Sequence, residues 1–423
     1  MAETGGPSPR HFHTAVWTGS EMIVWGGGND RQTFADGARY SPSTDTWRPI
    51  SPPVNLGARQ HQSAVWTGRL MIVWGGANIA NAVFYRDGAR YDPVTDTWAG
   101  TNPTGAPSAR GEHSAVWTGS EMVIWGGVGT GGTPLKTGAR YNLMRDEWLP
   151  VTQTGAPDAR HGQVDAWNGR QVVIWGGQGA NGQPLATGGR YEPAGDTWSP
   201  IPTAGAPTAR TGHVGVWTGN ALFVWGGKGI MDAFYRDGAL FVGGNGTGGT
   251  GGTGGTGGTG GTGGTGGAGG RGGGGGAGGM GGNGGLGGAG GMGGRAGAGG
   301  VGGNGGLGGN GGQGGNGGMM GGGNAWRAVT TSSAPTARIG HSAVWTGSEV
   351  IVWGGRDASG AALPTGGRYD PVQDRWVTMS VIDAAEPRSG QRACWAGNQM
   401  LVTGGDGSNP MMPPVRGGRY RPE

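Results

Sequence analysis

Tryptophan recurs in this chain at a period of about fifty residues, and this repeat constrains the fold more than any other feature. Residues 113–127 read HSAVWTGSEMVIWGG, and the first tryptophan of this motif recurs at Trp17, Trp66, Trp117, Trp167, Trp217, Trp345 and Trp395. The spacings are 49, 51, 50, 50, 128 and 50 residues, so one unit is longer than the others by 128 − 50 = 78 residues. A repeat of this length indicates an array of similar supersecondary units.

Two further tryptophan families complete each unit. The second tryptophan of the motif recurs as Trp25, Trp74, Trp125, Trp175, Trp225 and Trp353, and Thr403 stands in the seventh copy. An Asp-x-Trp pattern, with Asn324 replacing the acid once, gives Trp47, Trp98, Trp148, Trp198, Trp326 and Trp376. Seven, six and six residues account for all 19 tryptophans of the chain. Every tryptophan therefore belongs to the repeat.

Each unit is predicted to form four short strands, because short alternating segments are separated by glycine-rich turns. In the third unit, a turn around residues 118–120 would pair Trp117 with Met122 and Ser114 with Trp125. Side chains alternate between the faces of a strand, so Trp117 and Trp125 would lie on opposite faces. A sheet with a tryptophan on each face must be covered on both sides, and radial packing of sheets provides that cover. The glycine pair would let the backbone approach a neighbour or bend away.

The order R-x-x-H, V-W-T-G, I-V-W-G-G, R-Y and D-x-W resembles the kelch repeat, outside residues 242–323. The resemblance implies an all-β, seven-bladed kelch-like β-propeller with four-stranded blades. Residues 1–241 would form blades 1–5 (the first part of blade 5), residues 242–323 a glycine-rich low-complexity insertion in blade 5, and residues 324–423 the end of blade 5 and blades 6–7. The last blade is predicted to be incomplete, because the seventh copy stops at GGRYRPE.

Two features remain open at this level. Blade 7 is closed either by a short segment at residues 2–4 or left with an open edge that recruits a strand from another chain. In the insertion, a residue other than glycine falls at nearly every third position from Thr247 to Met319. That pattern suits a flexible loop or an ordered bundle of left-handed extended helices.

Charge and cysteine content exclude some classes of function. The formal net charge is +4, and Arg271 and Arg295 in the insertion supply +2 of it, which leaves too little for a nucleic-acid footprint. Cys394 is the only cysteine, so the sequence offers no intramolecular disulfide. No apolar run approaches the ~18 residues that a membrane span needs, and no signal peptide is visible. The compartment stays unknown, although similar bacterial repeats imply an extracellular or cell-surface location.

Arginine occurs seven residues before the first tryptophan in every unit. Planar guanidinium groups at this place could rim a surface for carboxylates or phosphates, or could tie each blade to a loop. The set comprises Arg10, Arg59, Arg110, Arg160, Arg210, Arg338 and Arg388.

Histidine or glutamine stands four residues before the first tryptophan. The histidines are His13, His113, His213 and His341, and the other copies carry Gln62, Gln163 and Gln391. No paired ligand spacing with cysteine or carboxylates accompanies the histidines, so the sequence predicts neither a metal site nor a cofactor. Exchange with glutamine favours hydrogen-bonding roles near the channel entrance, because both side chains donate and accept.

Loop aromatic residues are the best sequence evidence for a binding surface. The sequence FYRDGA occurs in the variable loops of both blade 2 and blade 5. Aromatic and arginine side chains on loops are typical of recognition surfaces, although packing of the loop on itself would use the same residues. The candidates are Phe34, Phe84, Tyr85, Arg86, Phe234, Tyr235 and Arg236.

These residues favour a non-catalytic binding or scaffold module that recognises a protein or glycan through its loop face. An enzymatic role is disfavoured, because no nucleophile motif or phosphate loop stands out. It stays open, because the few catalytic groups of a kelch-type enzyme would not be distinguishable from repeat residues. The alternatives are a carbohydrate-active epimerase or lyase, which the kelch resemblance allows, and a structural subunit of an extracellular assembly. Such a subunit would self-associate through the blade 7 edge or the glycine-rich arm.

Overall fold

The computed structural model describes residues 1–2, 4–243, 324–382, 384–407 and 417–422. The glycine-rich insertion lies outside the described residues apart from its first two, so both hypotheses about it remain predictions. Within the described ranges no helix is both long and apolar enough to cross a membrane. The helical turns that are described are short 3-10 segments in the loops, at Ile79–Asn81, Thr130–Gly132 and Ile230–Asp232.

The described strands form seven antiparallel blade sheets in which the strands follow one another in sequence order. Blades 1 to 4 consist of Thr14–Trp17, Met22–Trp25, Gly37–Ser41 and Thr46–Pro49; Ser63–Trp66, Met71–Trp74, Gly88–Asp92 and Thr97–Gly100; Ser114–Trp117, Glu121–Trp125, Gly138–Asn142 and Glu147–Pro150; Val164–Trp167, Val172–Trp175, Gly188–Glu192 and Thr197–Pro200. Blades 5 to 7 consist of Val214–Trp217, Ala221–Trp225, Gly238–Val242 and Ala325–Ala328; Ser342–Trp345, Val350–Trp353, Gly366–Asp370 and Arg375–Thr378; Arg392–Trp395, Met400–Thr403 and Gly418–Tyr420. Short ribbons pair Ala77–Asn78 with Val83–Phe84 and Arg160–His161 with Gln178–Gly179.

The first hairpin of each blade has the register that the sequence predicts. In blade 3, Ser114 lies opposite Trp125 and Trp117 opposite Met122. The turn is fixed by Thr118, whose amide donates to the carbonyl of Glu121 at 2.9 Å and whose hydroxyl accepts from the Glu121 amide at 3.1 Å. Such a bond from a side chain to the nearby backbone favours a turn over a continued strand, so the chain reverses at Thr118.

Both faces of a blade are buried against neighbouring blades. One face of blade 3 places Ala115 and Met122 in a cluster with Trp74 of blade 2. The other face places Val116 and Trp125 in a cluster with residues of blade 4. A single blade would therefore leave two large apolar surfaces in water, and burial of apolar area is the main source of stability.

The first strands of the described blades contact one another in order around a closed ring. The strand Thr14–Trp17 of blade 1 contacts Ser63–Trp66 of blade 2 on one side and Arg392–Trp395 of blade 7 on the other. The chain is therefore a seven-bladed β-propeller, as predicted, and its first strands surround the axis.

A backbone hydrogen bond between the glycine doublet and the next blade recurs at each junction; we call it the glycine clasp. The second glycine donates its N–H to the carbonyl of the repeat arginine in the following blade at 2.8–3.1 Å. The first glycine lies against the histidine or glutamine of that blade, so a Cβ there would collide with the ring or amide. The clasp comprises Gly27–Arg59, Gly76–Arg110, Gly127–Arg160, Gly177–Arg210, Gly227–Arg338, Gly355–Arg388 and Gly405–Arg10.

Blade 7 has three strands in the described part of the chain. Ala2 lies against blade 1: its amide donates to Asp45 Oδ1 at 2.9 Å, and Trp47 Nε1 donates to its carbonyl at 3.1 Å. In blade 3, Trp148 Nε1 makes the same bond with the carbonyl of Asn102, which follows the fourth strand of the preceding blade. Ala2 therefore takes the position of a blade linker.

Two glycines of blade 5 allow the packing cost of a side chain at the clasp to be measured apart from the cost of positive φ. Gly219 and Gly226 both have positive φ, +93° and +69°, but a Cβ on Gly219 meets nothing within 4 Å, whereas one on Gly226 lies 2.7 Å from His341 Cε1. We expect Gly219→Ala to cost about 1–2 kcal/mol from left-handed backbone alone. Gly226→Ala should cost about 1–3 kcal/mol more from overpacking. Urea denaturation of both variants measures this, and equal losses would contradict the packing role.

Candidate functional site

A cavity of about 230 Å³ lies on the axis, at the end of the propeller where the glycine clasps lie. Its lining residues come from blades 1 and 3–7, among them Phe12, Glu112, His161, Lys228 and Asp406. We call this cavity and the residues around it the channel mouth.

Two short chain segments in each blade place side chains at the channel mouth. The residue after the repeat arginine forms an antiparallel bridge with the residue after the glycine doublet, as His11 does with Gly28. The next residue bonds across to the neighbouring blade: the His61 amide donates to the Phe12 carbonyl and the Glu112 amide to the His61 carbonyl, both at 3.1 Å. Backbone bonds of this kind hold the mouth side chains on a rigid frame.

The backbone has positive φ at this second position in all seven copies. Four copies use Gly162, Gly212, Gly340 and Gly390, with φ between +62° and +71°. The other three use Phe12, His61 and Glu112, with φ of +52°, +59° and +54°. A residue with a Cβ in the left-handed region costs about 1–2 kcal/mol, so blades 1–3 carry strain that glycine relieves in blades 4–7.

The three strained residues form one connected cluster with two flanking histidines. The rings of Phe12 and His61 stack with centroids 4.0 Å apart, and His11 lies 4.6 Å from Phe12. Glu112 lies between two imidazoles, with its Oε1 3.4 Å from His61 Nδ1 and its Oε2 2.8 Å from His161 Nδ1. All five side chains are half-buried, and Phe12, Glu112 and His161 line the cavity.

Electrostatics keep the Glu112 carboxylate ionised. Burial raises the pKa of Glu112, but the hydrogen bond with His161 and the charges of His61 and His161 outweigh burial, so the pKa lies below its ordinary value. Burial lowers the pKa of His61, while the Glu112 charge acts in the opposite direction. In the same cluster, Asp406 Oδ1 of blade 7 lies 2.8 Å from His11 Nδ1. In the described part of the chain, no group of three or more histidine, cysteine, aspartate or glutamate residues is placed to hold a metal ion.

The seven repeat arginines lie inside the protein. Each is at most 2% exposed, and its Nη1 donates to the carbonyl of the first glycine of its own doublet at 2.8–3.2 Å. The guanidinium groups of Arg10, Arg59 and Arg210 also pair with an aspartate of the loop, each at 3.0 Å. These buried arginines therefore hold the glycine doublet, and in three blades the loop between strands two and three, from inside the protein.

The loop aromatic residues form two groups: one packs against the buried arginines, and the other lies nearer the surface. Phe34, Tyr85 and Tyr235 lie under the guanidinium groups of Arg10, Arg59 and Arg210 at 4.2–4.5 Å. Blades 3, 4 and 6 carry leucine at this position: Leu135, Leu185 and Leu363.

The adjoining residues face outward. Phe84 and Phe234 are half-buried, and Arg86 and Arg236 are exposed. Phe84 Cε1 lies 3.7 Å from where a Cβ of Gly111 would stand, so its ring adjoins the blade 3 segment that carries Glu112. Phe84 therefore adjoins this segment, although it is not among the residues that line the cavity.

The four repeat histidines lie between blades. His113 Nε2 is 2.8 Å from Ser63 Oγ, and the ring packs edge-on against Trp74 at 5.3 Å. Burial, with the Arg110 charge, lowers the pKa of His113 to about 3. At the same position Gln62 Nε2 donates to the Trp25 carbonyl at 3.1 Å. His13, His213 and His341 are at most 1% exposed, and burial lowers the pKa of each.

Sequence reasoning missed the cluster of Phe12, His61, Glu112 and His161. Phe12, His61 and Glu112 stand where the other four units carry glycine, and His161 stands at a position that varies among the units. The signal was available, because four of the seven units carry glycine two residues after the arginine and three do not.

The first 242 residues match one protein-family model. The family is described as the KLHDC2/KLHL20/DRC7 Kelch-repeats domain, and the matches cover residues 1–127 and 64–242. Together they span more than half of the 423-residue chain. The comparison with curated proteins gives no match.

A histidine-to-glutamine exchange tests the buried position. Between pH 6.5 and 3 the unfolded chain takes up a proton at His113 that the folded protein excludes, so stability falls as the pH falls through this window. We expect wild type to lose about 2 kcal/mol more than His113→Gln between pH 6.5 and 4.5, from about 1.4 kcal/mol per pH unit. Urea denaturation at several pH values measures the difference.

Other buried groups also affect the absolute pH slope of stability: His13, His213 and His341 act in the same direction as His113, and Asp165 acts in the opposite direction. Burial raises the pKa of Asp165 to about 8, so its contribution to stability is lost as the pH rises from about 4 to 8. These trends are common to both proteins and cancel in the comparison. Parallel stability curves for the two proteins would rule out a neutral, buried His113.

Proposed function

Because the chain belongs to the kelch-repeat family, we propose that it is a non-catalytic binding module that recognises a protein partner at the channel mouth. The partner would insert a side chain or a turn into the axial cavity and contact the neighbouring loops. The buried repeat residues would serve as the rigid support.

The strained cluster of blades 1–3 is the observation that carries this proposal. Phe12, His61 and Glu112 occupy positions where glycine serves the same backbone in four other blades. Strain of this kind persists where the surroundings hold it, and it clusters at binding and catalytic sites. A role in supporting the blade alone would be met by glycine.

Cavity size favours a protein segment over a small ligand. The cavity volume is about 230 Å³, below the ~300–1,000 Å³ that pockets for drug-sized ligands occupy. A single side chain of a larger partner fits this volume, with the remaining contact made on the rim. Glu112 and Asp406 supply carboxylates on the lining, and Lys228 supplies a cation.

Exposed apolar side chains on the loops extend the surface outward. Ile79 of blade 2 is 52% exposed, and Ile230 and Met231 of blade 5 are 56% and 95% exposed. They accompany Phe84 and Phe234 on loops of the same FYRDGA sequence. Exposed apolar groups rimmed by arginine match the composition of protein-binding surfaces.

Blades 4–7 show which residue can replace each member of the strained cluster. The triple substitution Phe12→Gly, His61→Gly and Glu112→Gly gives blades 1–3 the residue of blades 4–7. We expect relief of strain to offset the lost contacts, so the melting temperature should stay within about 5 °C of wild type. Peptides selected from a random phage-displayed library on wild type should bind the variant about tenfold more weakly or not at all.

Two further variants locate the surface. Phe84→Ala with Phe234→Ala should weaken the selected peptides, whereas Tyr85→Leu with Tyr235→Leu, which copies blades 3, 4 and 6, should not. Selected peptides that bind the triple-glycine variant as tightly as wild type would refute a protein site at the channel mouth. Glycan-array binding lost in that variant would instead indicate a glycan ligand.

A further inference from the structure

A buried carboxyl group on the first strand of blade 4 has no counterpart in the other blades. Asp165 is 4% exposed and lies opposite Ile174 of the second strand. The other six blades carry alanine or glycine at this position: Ala15, Ala64, Ala115, Gly215, Ala343 and Ala393. The packing that the seven blades share therefore does not require a carboxyl group here.

Asp165 connects blade 4 to blade 3. The amide of Ala115, on the first strand of blade 3, donates to Asp165 Oδ2 at 2.9 Å. The Ser114 hydroxyl, which accepts from Gln163 Nε2 at 2.8 Å, also bonds to this carboxyl group. One side chain thus links the first strands of two neighbouring blades close to the axis.

The strands around Asp165 supply no cation to balance an ionised carboxylate. Within the described ranges, its strand packs mainly against Ser114–Trp117 of blade 3, Val172–Trp175 of its own blade and Val214–Trp217 of blade 5. These three strands carry no titratable side chain. Because an unpaired carboxylate is much more costly to bury than a carboxylic acid, this environment favours the neutral form of Asp165.

Burial keeps the proton on this carboxyl group in the folded protein. It raises the pKa of Asp165 to about 8 against the opposing effect of hydrogen bonds from Ala115, Ser114 and its own backbone amide, and no charged side chain of the described chain contributes. In the unfolded chain an aspartate ionises near pH ~4. Between these two values the folded protein holds a proton that an opened junction releases, so opening becomes easier as the pH rises from about 4 to 8.

The same junction is bridged at the channel mouth. Glu112 of blade 3 and His161 of blade 4 meet there, with Glu112 Oε2 2.8 Å from His161 Nδ1. Ala115 follows Glu112 by three residues, and Asp165 follows His161 by four. A change in the spacing of the two first strands would therefore reach this pair at the mouth.

We propose that Asp165 is a proton-dependent tie between blades 3 and 4, which holds their junction closed as a neutral acid and allows it to open when the proton is released. The tie makes the spacing of these two blades, and with it the contact between Glu112 and His161, sensitive to pH near neutrality. It does not depend on the proposed function at the channel mouth.

Two substitutions remove the titrating proton. Asp165→Asn keeps an acceptor oxygen for the Ala115 amide, and Asp165→Ala copies the residue of blades 1, 2, 3, 6 and 7. Relative to either variant, the unfolding equilibrium constant of wild type should rise about tenfold per pH unit between pH 5 and 7. Urea denaturation of the full-length proteins at several pH values measures this ratio, in which the contributions of the buried histidines cancel. Parallel pH curves for wild type and both variants would overturn the proposal.

Hydrogen exchange of the Ala115 amide reports on the tie itself. After correction for the intrinsic exchange rate, its protection in wild type should fall about tenfold per pH unit between pH 6.5 and 7.5, whereas in Asp165→Asn it should stay constant. If neither variant folds, infrared spectra of wild type should show a protonated carboxyl group at pH 7 that is lost at pH 9.5. Protection of Ala115 that does not change with pH in wild type, or absence of that infrared signal at pH 7, would contradict the tie.

Discussion

The fold depends on the glycine clasp, the hydrogen bond from the second glycine of one blade to the arginine carbonyl of the next. The clasp requires a left-handed backbone without a Cβ, because histidine or glutamine of the next blade lies against the first glycine. The clasp also requires that the arginine carbonyl, which accepts the bond, be held in place. The buried guanidinium group of the same arginine holds it by donating to the first glycine of the doublet in the arginine's own blade. One residue thus connects two neighbouring blades through its backbone and its side chain.

This arrangement assigns different roles to repeated and unrepeated residues. Arginine and the glycine doublet recur at all seven junctions, where a histidine or glutamine lies against the first glycine, and these arginine, histidine and glutamine side chains are buried. The residues at the channel mouth stand on the same backbone frame but differ from blade to blade. Phe12, His61 and Glu112 retain backbone strain there, as the proposed binding role would require. Rigid support and variable mouth are therefore produced by the same repeat.

Much of the fold could be predicted because its determinants are local. Alternation, turn residues and period gave the hairpin register of Ser114 with Trp125 and the seven blades. The sequence left open whether arginines such as Arg110 rim a surface, because direction of a long side chain depends on packing. The sequence also could not show that Tyr85 packs under an arginine while Phe84 does not, since the direction of each side chain in a loop depends on the loop conformation. Comparison of the units shows that Phe12, His61 and Glu112 replace glycine, but not that they contact one another, because these contacts join residues about fifty positions apart.

Amide hydrogen exchange at the second glycines tests the clasp most directly. The account predicts that the amides of Gly27, Gly76, Gly127, Gly177, Gly227, Gly355 and Gly405 exchange through global unfolding, with equal opening free energies. Gly405 is decisive, because its bond to Arg10 joins the last blade to the first. Protection of Gly405 equal to that of Gly127 would support a closed ring of interdependent blades. Fast exchange at Gly405, like that of an exposed loop, would contradict it.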